Sequence, residues 1–412
     1  MIAAILDRVF RREGGRVLAG LIRFTGDFDL AEDALQDAIA RALATWPQAG
    51  LPDNPGAWLS LTARRRAIDL VRRRRIRSTT SLPELAAPED ETESEHGLVS
   101  ISGVEDDRLR LLFTCCHPAL GQSAQVALAL KTLGGLSTRD IARAFLEPEP
   151  TTAQRLVRAK QKIRDAGIPY EVPRKEDLPD RLAAVLACVY LIFNEGHIAT
   201  EGPALVRPDL CAESTRLARF VVELLPEEPE ARGLLALVLL TDARRPARMD
   251  ALGVLVPLED QDRSLWDRDM IQEGTAILDA ALPHRRPGPY QIQAAVAALH
   301  AAAPSPTQTD WPQIAALYGA LLRHTPTPVV ELNAAVALAM ATGVEKGLDW
   351  IANLEERGEL AGYYLLPAAK ADLLRRAGRT EESAAAYRHA LSLVTNPSER
   401  GYLSRRLKET GG

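Results

Sequence analysis

The feature that most constrains this chain is the way its apolar residues recur. From residue 178 to the C-terminus, Ala and Leu return with helical spacing in segments of roughly 12–20 residues. Pro or Gly punctuates these segments at Pro226, Pro229, Pro283, Pro304, Pro326 and Gly343. Ala loses no side-chain entropy in a helix, whereas strands favour β-branched and aromatic residues. Apolar residues make up 46% of the 412 positions but aromatic ones only 5%, so the cores are expected to be built from small side chains on closely packed helices. The pattern predicts an all-α chain, and its length predicts about two to four domains.

The period breaks in two places. Residues 1–77 read as helices. Residues 78–104 are rich in Ser, Thr, Pro and acids (Glu84, Glu89, Asp90, Glu91, Glu93, Glu95) with no apolar period, which predicts a flexible acidic linker. Residues 105–170 are helical again, and Pro169 and Pro173 mark the next break. Residues 178–412 then form a C-terminal helical domain. Its end, 344–409, has a repeat-like character. Gly362–Arg376 and Thr380–Val394 form a helix pair joined at Gly378, with Ala371, Tyr387 and Ala390 where a tetratricopeptide unit has its small and aromatic residues. Ser398–Glu409 would be a polar capping helix.

The net charge of −5 would by itself argue against nucleic acid, but charge is strongly segregated along the chain. Three segments carry that segregation. In Asp29–Leu43 the apolar residues Leu30, Ala31, Ala34, Leu35, Ala38, Ile39 and Ala42 share one helical face. Asp29, Glu32, Asp33, Gln36 and Asp37 share the other, with Asp29 placed to cap the helix. No Lys or Arg balances these acids before Arg41, so the stripe reads as a docking surface for a basic partner rather than an ordinary solvated face.

The second segment opens at Pro55-Gly56-Ala57-Trp58-Leu59 and runs into eight arginines between Arg64 and Arg77. Ala67, Ile68, Leu70 and Val71 supply its buried stripe. Arg64, Arg65, Arg66, Arg72, Arg73 and Arg74 suit phosphate, and Trp58, across a Pro/Gly-rich loop at 47–56 from Trp46, suits stacking on unpaired bases. The alternative reading makes Trp58 core and the arginines a solvated surface.

The third segment, 124–164, reads as Ala124–Leu133, a break at Gly134-Gly135, a helix Thr138–Phe145 capped by Ser137 with Asp140, and a helix Thr152–Asp165 capped by Thr151. On the last helix Ala153, Leu156, Val157 and Ile163 form the seating face. Thr151, Thr152, Gln154, Arg155, Arg158 and Lys162 are the residues expected to face DNA. A helix-turn-helix needs this division of faces to read a major groove, and a plain helical hairpin is the bland alternative.

Two short motifs invite other chemistry. Cys115-Cys116-His117 lacks the paired ligand spacing of a zinc site and reads as a helix end before Pro118. Asn194-Glu195-Gly196-His197 has no accompanying nucleophile or phosphate loop and reads as a helix C-terminus broken at Gly196. No metal, cofactor or enzymatic activity is expected. The four cysteines form no disulfide framework, the N-terminus MIAAILDRVFRREGG is no secretory leader, and no long uncharged apolar run is present. The expected location is the cytoplasm, away from membranes.

The three charged segments, in this order, resemble ECF (extracytoplasmic function) RNA polymerase sigma factors. FRREGGRVLAGLIRFTGDFDLAEDALQDAIARAL resembles the start of sigma region two, whose acidic helix grips the polymerase β′ clamp. PGAWLSLTARRRAIDLVRRRR resembles the part that opens and reads the promoter −10 element. DRLRLLFTCCHPAL through LSTRDIARAFLEPEPTTAQRLVRAKQKIR resembles region four, which reads the −35 element and meets the β subunit. The resemblance implies core polymerase and promoter DNA as partners. LACVYLIFNEGHIAT and the repeat-like tail resemble a subgroup with a long C-terminal helical extension, thought to exert control. Genes of that subgroup commonly neighbour small DGPF/YCII-like proteins, which makes such a protein a further expected partner.

The main alternative is a one-component regulator that joins a helix-turn-helix to a helical-repeat sensor. Such a regulator needs neither the acidic stripe nor the arginine block. A helical scaffold without a DNA role would not need the polar face of the last helix.

Overall fold

A computed structural model describes residues 2–78, 101–145, 147–174, 176–198 and 206–411. Helices dominate the described residues, and the only β-pairing among them is an isolated bridge between Met249 and Leu255. The all-α expectation therefore holds. The chain divides into two compact units, Met1–Ile192 and Phe193–Gly412.

The N-terminal unit holds α1 (Ile2–Thr25), α2 (Phe28–Ala49), α3 (Pro55–Ser78), α4 (Ile101–Cys115), α5 (Gln122–Thr132), α6 (Thr138–Ala144), α7 (Glu149–Asp165) and most of α8 (Leu178–His197). Most of the linker segment 78–104 lies outside the described residues, but Ile101–Val104 already belong to α4. The first three helices pack on one another through Leu21, Ile22, Phe28, Ala31, Leu35, Leu59, Ala63 and Ala67, all buried. Pro47 does not end α2, which runs through it to Ala49 and shortens the expected 47–56 loop to 50–54.

The segments before and after the linker pack together, α1 against α4 and α5. Gly15 on α1 passes so close to the end of α5 that a Cβ there would lie 2.9 Å from the Leu133 carbonyl oxygen. Arg23 on α1 pairs with Asp107 on α4 at 3.3 Å. The Tyr170 hydroxyl lies between the carbonyl oxygens of Ala19 (3.0 Å) and Asp107 (2.8 Å). Arg181 on α8 donates to the Phe113 carbonyl at 3.2 Å, and Cys188 on α8 touches Cys116 at 3.3 Å. The division between units therefore falls inside α8, later than the break expected before residue 178.

The C-terminal unit continues with α9 (Pro208–Leu224), α10 (Pro229–Asp242), α11 (Arg268–Ala281), α12 (Pro289–Ala302), α13 (Trp311–His324), α14 (Pro328–Thr342), α15 (Val344–Arg357), α16 (Leu365–Arg376), α17 (Thr380–Leu393) and α18 (Pro397–Glu409). Proline stands at the first helical position of α9, α10, α12, α14 and α18, where its missing N–H costs nothing. Helix α10 is apolar on nearly every face, with Leu234 to Leu240 all buried, and packs against α9, α11 and α12. From α13 onward, successive helices pack as neighbours. Ala371, Tyr387 and Ala390 meet in one core cluster with Val394 and Leu403, so the helix pair read from the sequence is present and α18 closes it.

Candidate functional site

The acidic stripe lies on α2 as expected. Ala31, Ala34, Leu35, Ala38 and Ala42 are buried, while Asp33, Gln36 and Asp37 are exposed and Asp29 and Glu32 are partly buried. The cap is Asp27 rather than Asp29: its side chain accepts from the Asp29 N–H at 2.8 Å and the Leu30 N–H at 3.2 Å. Helix α2 starts one residue earlier than the apolar period suggested, which moves Asp29 into its first turn.

Half of this stripe is already occupied by the chain itself. Lys160 on α7 lies 2.8 Å from Asp29 and 3.0 Å from Glu32. Arg164, one turn on, lies 3.2 Å from Asp29 and 3.5 Å from Asp27, and Arg74 on α3 reaches Asp27 at 2.7 Å. Burial disfavours the Lys160 ammonium, but Asp29 and Glu32 outweigh it and hold its pKa above the usual lysine range. Burial also works against the Asp27 carboxylate. Arg74, the backbone N–H groups of Leu30 and Asp29, and Arg164 outweigh that and hold its pKa below the usual range. Further along α2, Arg66 pairs with Asp37 at 2.5 Å, and Asp33 and Gln36 stay open to solvent. The sequence reading missed Lys160 and Arg164. Their spacing of four on α7 was visible, but the face they share met no partner until the fold brought α2 beside it.

Along α3, Ala67 is buried and Arg64, Arg65, Arg72, Arg73 and Arg74 are exposed. Arg64, Arg65, Arg72 and Arg73 make no ion pair among the described residues, so a row of unpaired guanidinium groups faces outward. Trp58 is both things the sequence allowed. It packs edge-on against buried Trp46, with ring centroids 5.3 Å apart, yet stays partly exposed. It lines a cleft of about 440 Å³ between α2 and α3 together with Arg41, Thr62, Arg65, Arg66 and Asp69.

The helix pair α6–α7 is built as the sequence predicts at its first end, the start of α6. The Asp140 carboxylate accepts from the Ser137 N–H at 3.1 Å, and the Ser137 hydroxyl accepts from the Asp140 N–H at 3.0 Å. The second end differs. Pro148 is the cap and α7 starts at Glu149, so Thr151 stands inside the first turn. The buried face is Thr152, Leu156, Ala159 and Ile163, while Ala153 and Val157 are exposed. Thr152 is therefore not an outward-facing reader: its hydroxyl donates to Glu147 at 2.5 Å. Glu147 also takes both guanidinium nitrogens of Arg155, which covers the Phe145 ring. That fork holds the Glu147 carboxyl below the usual carboxylate range. Thr151, Gln154, Arg158 and Lys162 remain exposed and face away from the Thr152–Leu156 side.

Cys115 and Cys116 are buried free thiols where α4 ends, and His117 Nδ1 accepts from the Ala119 N–H at 3.1 Å. Burial first, and then Cys188, pushes the Cys115 thiol up to about 12 despite its contact with Thr132. Among the described residues, no group of three or more His, Cys, Asp or Glu side chains is arranged to hold a metal ion. Gly196 does not break α8, which continues to His197. The glycine is there because α9 passes too close for a side chain: a Cβ would lie 2.7 Å from the Cys211 nitrogen. No helix among the described residues is long and apolar enough to cross a membrane.

Residues 9–76 match the family model described as Sigma-70 region 2, and residues 181–282 match a family of unknown function, DUF6596. An uncharacterized protein of Rhizobium meliloti is 48% identical over 393 residues, covering 95% of this chain and 92% of the relative. A probable ECF RNA polymerase sigma factor, SigI, of Mycobacterium tuberculosis is 28% identical over 173 residues, covering 40% of this chain and 57% of that protein. No solved structure matches. The region-2 match and the distant likeness to an ECF sigma factor support a sigma-70-family, ECF-like sigma factor, and the DUF6596 match falls in its long C-terminal extension. Membership in that family implies core RNA polymerase and promoter DNA as partners.

Proposed function

We propose that this sigma factor docks on core polymerase through Asp29, Glu32, Asp33, Gln36 and Asp37. In the same reading Trp58 and the outward arginines of α3 contact the −10 element, and Thr151, Gln154, Arg158 and Lys162 contact the −35 element. The observation that carries this reading is the acidic stripe on α2, half paired with basic side chains of α7 and half exposed. A surface that already holds Lys160 and Arg164 has the chemistry to hold the basic side chains of another protein.

The pairing adds a step. Polymerase must displace α7 before it engages Asp29 and Glu32, and that release frees α7 to reach DNA. The chain supplies promoter specificity and the polymerase supplies the chemistry, in the cytoplasm. Residues 193–412 set how readily the release occurs, and a DGPF/YCII-like protein is the partner that the family resemblance suggests for them. Transcription with purified core polymerase tests the reading. The full chain should direct initiation at defined promoters. The variant Asp33→Lys/Asp37→Lys, reversed at two exposed positions, should fold normally and lose initiation. Unchanged initiation by that variant removes α2 as the docking surface.

A further inference from the structure

All four cysteines are buried and none is in a disulfide, but two of them meet. Cys116 follows the end of α4 and Cys188 stands in the middle of α8, and their thiols share a hydrogen bond with the sulfurs 3.3 Å apart. The two residues are 72 positions apart in the sequence. Cys115 faces α5 instead, with its sulfur 3.6 Å from the Thr132 hydroxyl, and Cys211 lies on α9 against Asp242. A disulfide holds its sulfurs about 2.05 Å apart, so Cys116 and Cys188 need to close by only about 1.2 Å.

Position sets this pair apart from buried thiols that serve only as small apolar side chains. It bridges α4 and α8, and α8 is the helix within which the N-terminal unit ends. Arg181, two turns before Cys188, donates to the Phe113 carbonyl on α4 at 3.2 Å, so the same face of α8 is fastened to α4 at a second point. The Arg181 charge favours a thiolate at Cys116. The Cys188 contact first, and then burial, outweigh it and hold the Cys116 thiol well above the ordinary thiol range. The resting pair is therefore protonated and slow to react. It becomes reactive when α8 lifts from α4 and admits water.

We propose that Cys116 and Cys188 are a redox modification site, closed to a disulfide by a peroxide and reopened by a thiol reductant, which fastens α8 to α4. One thiolate attacks the peroxide O–O bond, which leaves a sulfenic acid and, with the thiol proton, one water. The second thiol attacks that sulfur and expels its hydroxyl group as a second water. The two thiols together lose two protons and two electrons, and one hydrogen peroxide becomes two waters. A dithiol reductant reverses the step by exchange through a mixed disulfide. A covalent tie across 72 positions also removes freedom from the opened chain, so α8 leaves α4 less often once the pair is oxidised. The bond is read without polymerase or DNA, so its failure leaves the sigma-factor reading untouched.

The test uses the full chain, reduced and then exposed to hydrogen peroxide. The remaining thiols are alkylated in denaturant, and the unreduced digest is read by mass spectrometry. One linked peptide pair should join Cys116 to Cys188, two hydrogens lighter than its two peptides together, and dithiothreitol should abolish it. Cys115 and Cys211 should be alkylated throughout. Cys115→Ala should keep the bond, whereas Cys116→Ala and Cys188→Ala should each lose it, and either serves if the other does not fold. In the oxidised chain, hydrogen exchange of the α8 amides should slow several-fold. Four alkylated thiols after peroxide, or a link through Cys115 or Cys211, would overturn the site. Unchanged exchange in the linked chain would overturn its hold on α8.

Discussion

In the N-terminal unit the cations around the start of α2 meet carboxylates: Lys160 meets Asp29 and Glu32, Arg164 meets Asp27 and Asp29, and Arg74 meets Asp27. In the C-terminal unit two arginines meet carbonyls at helix ends instead: Arg248 donates to the His197 carbonyl and Arg263 to the His300 carbonyl at 2.6 Å. The two arrangements differ in what can change them. Exposed ion pairs contribute about 0–1 kcal/mol each, so another basic surface can replace one partner without unfolding the chain. A guanidinium that closes a helix end is not exchanged so cheaply, because its departure leaves a carbonyl without a donor. The first arrangement suits a surface that lets go of one partner for another, and the second suits a framework that holds its helix ends in place.

Reversing two exposed acids of the stripe, Asp33 and the Arg66-paired Asp37, should break the exchange surface outright. Asp33→Lys/Asp37→Lys is expected to weaken core polymerase binding about tenfold or more with unchanged helicity, read by co-purification and circular dichroism. Wild-type binding would mean that α2 is not the exchange surface.

The DNA-facing half of α7 should show the next largest effect. Gln154→Ala or Arg158→Ala is expected to lose about 1–3 kcal/mol of discrimination at one or two −35 positions, while Lys162→Ala weakens all promoters alike and flattens the salt dependence. Arg155→Ala should act through Glu147 and Thr152, so its cost should appear as lost stability of the α6–α7 turn as well as lost binding. A uniform loss in all four variants, measured by binding to randomised promoters, would remove the reading face.

Releasing the covered half should have a smaller and opposite effect. Lys160→Ala/Arg164→Ala removes the pairs to α2, and since each is worth about 0.2–1 kcal/mol, core association should rise roughly two- to fivefold. Unchanged association kinetics would show that α7 does not compete with polymerase.

The smallest effect concerns His300, whose carbonyl Arg263 caps near the end of α12. His300 titrates near 4 in the folded chain against 6.5 for the free side chain, so the unfolded chain binds more protons between those values. Stability from this residue is fully present above about 6.5 and lost as pH falls toward 4. The wild-type midpoint should therefore fall relative to that of His300→Gln on acidification, and a constant gap from pH 7 to 4 would show that burial does not hold His300 neutral.

Much of this molecule was readable because it is local. The helix faces of α2 and α3, the Ser137–Asp140 box, and the α16–α17 pair around Gly378 follow from periodicity, capping chemistry and backbone freedom within a few residues. So did the acidic stripe and the arginine row, because exposed side chains keep the face that the helical period assigns them. The details of α7 were less readable. Glu147 turns Thr152 and Arg155 inward, and two prolines shift the helix start by three residues from the expected Thr152 to Glu149.

By itself, then, the sequence determined the all-α architecture, the order of the charged segments and the side chains on each helical face. Those depend on interactions between neighbours along the chain, whose distances the backbone sets. Only the tertiary structure decided that Lys160 and Arg164 would cover Asp29 and Glu32, more than a hundred positions away. It alone also brought Arg248 to the His197 carbonyl and Arg263 to the His300 carbonyl. No periodicity carries that information, because which helix end lies beside which depends on how whole apolar faces pack, and many pairings bury those faces equally well until loop lengths and close contacts such as Gly196 against Cys211 select one.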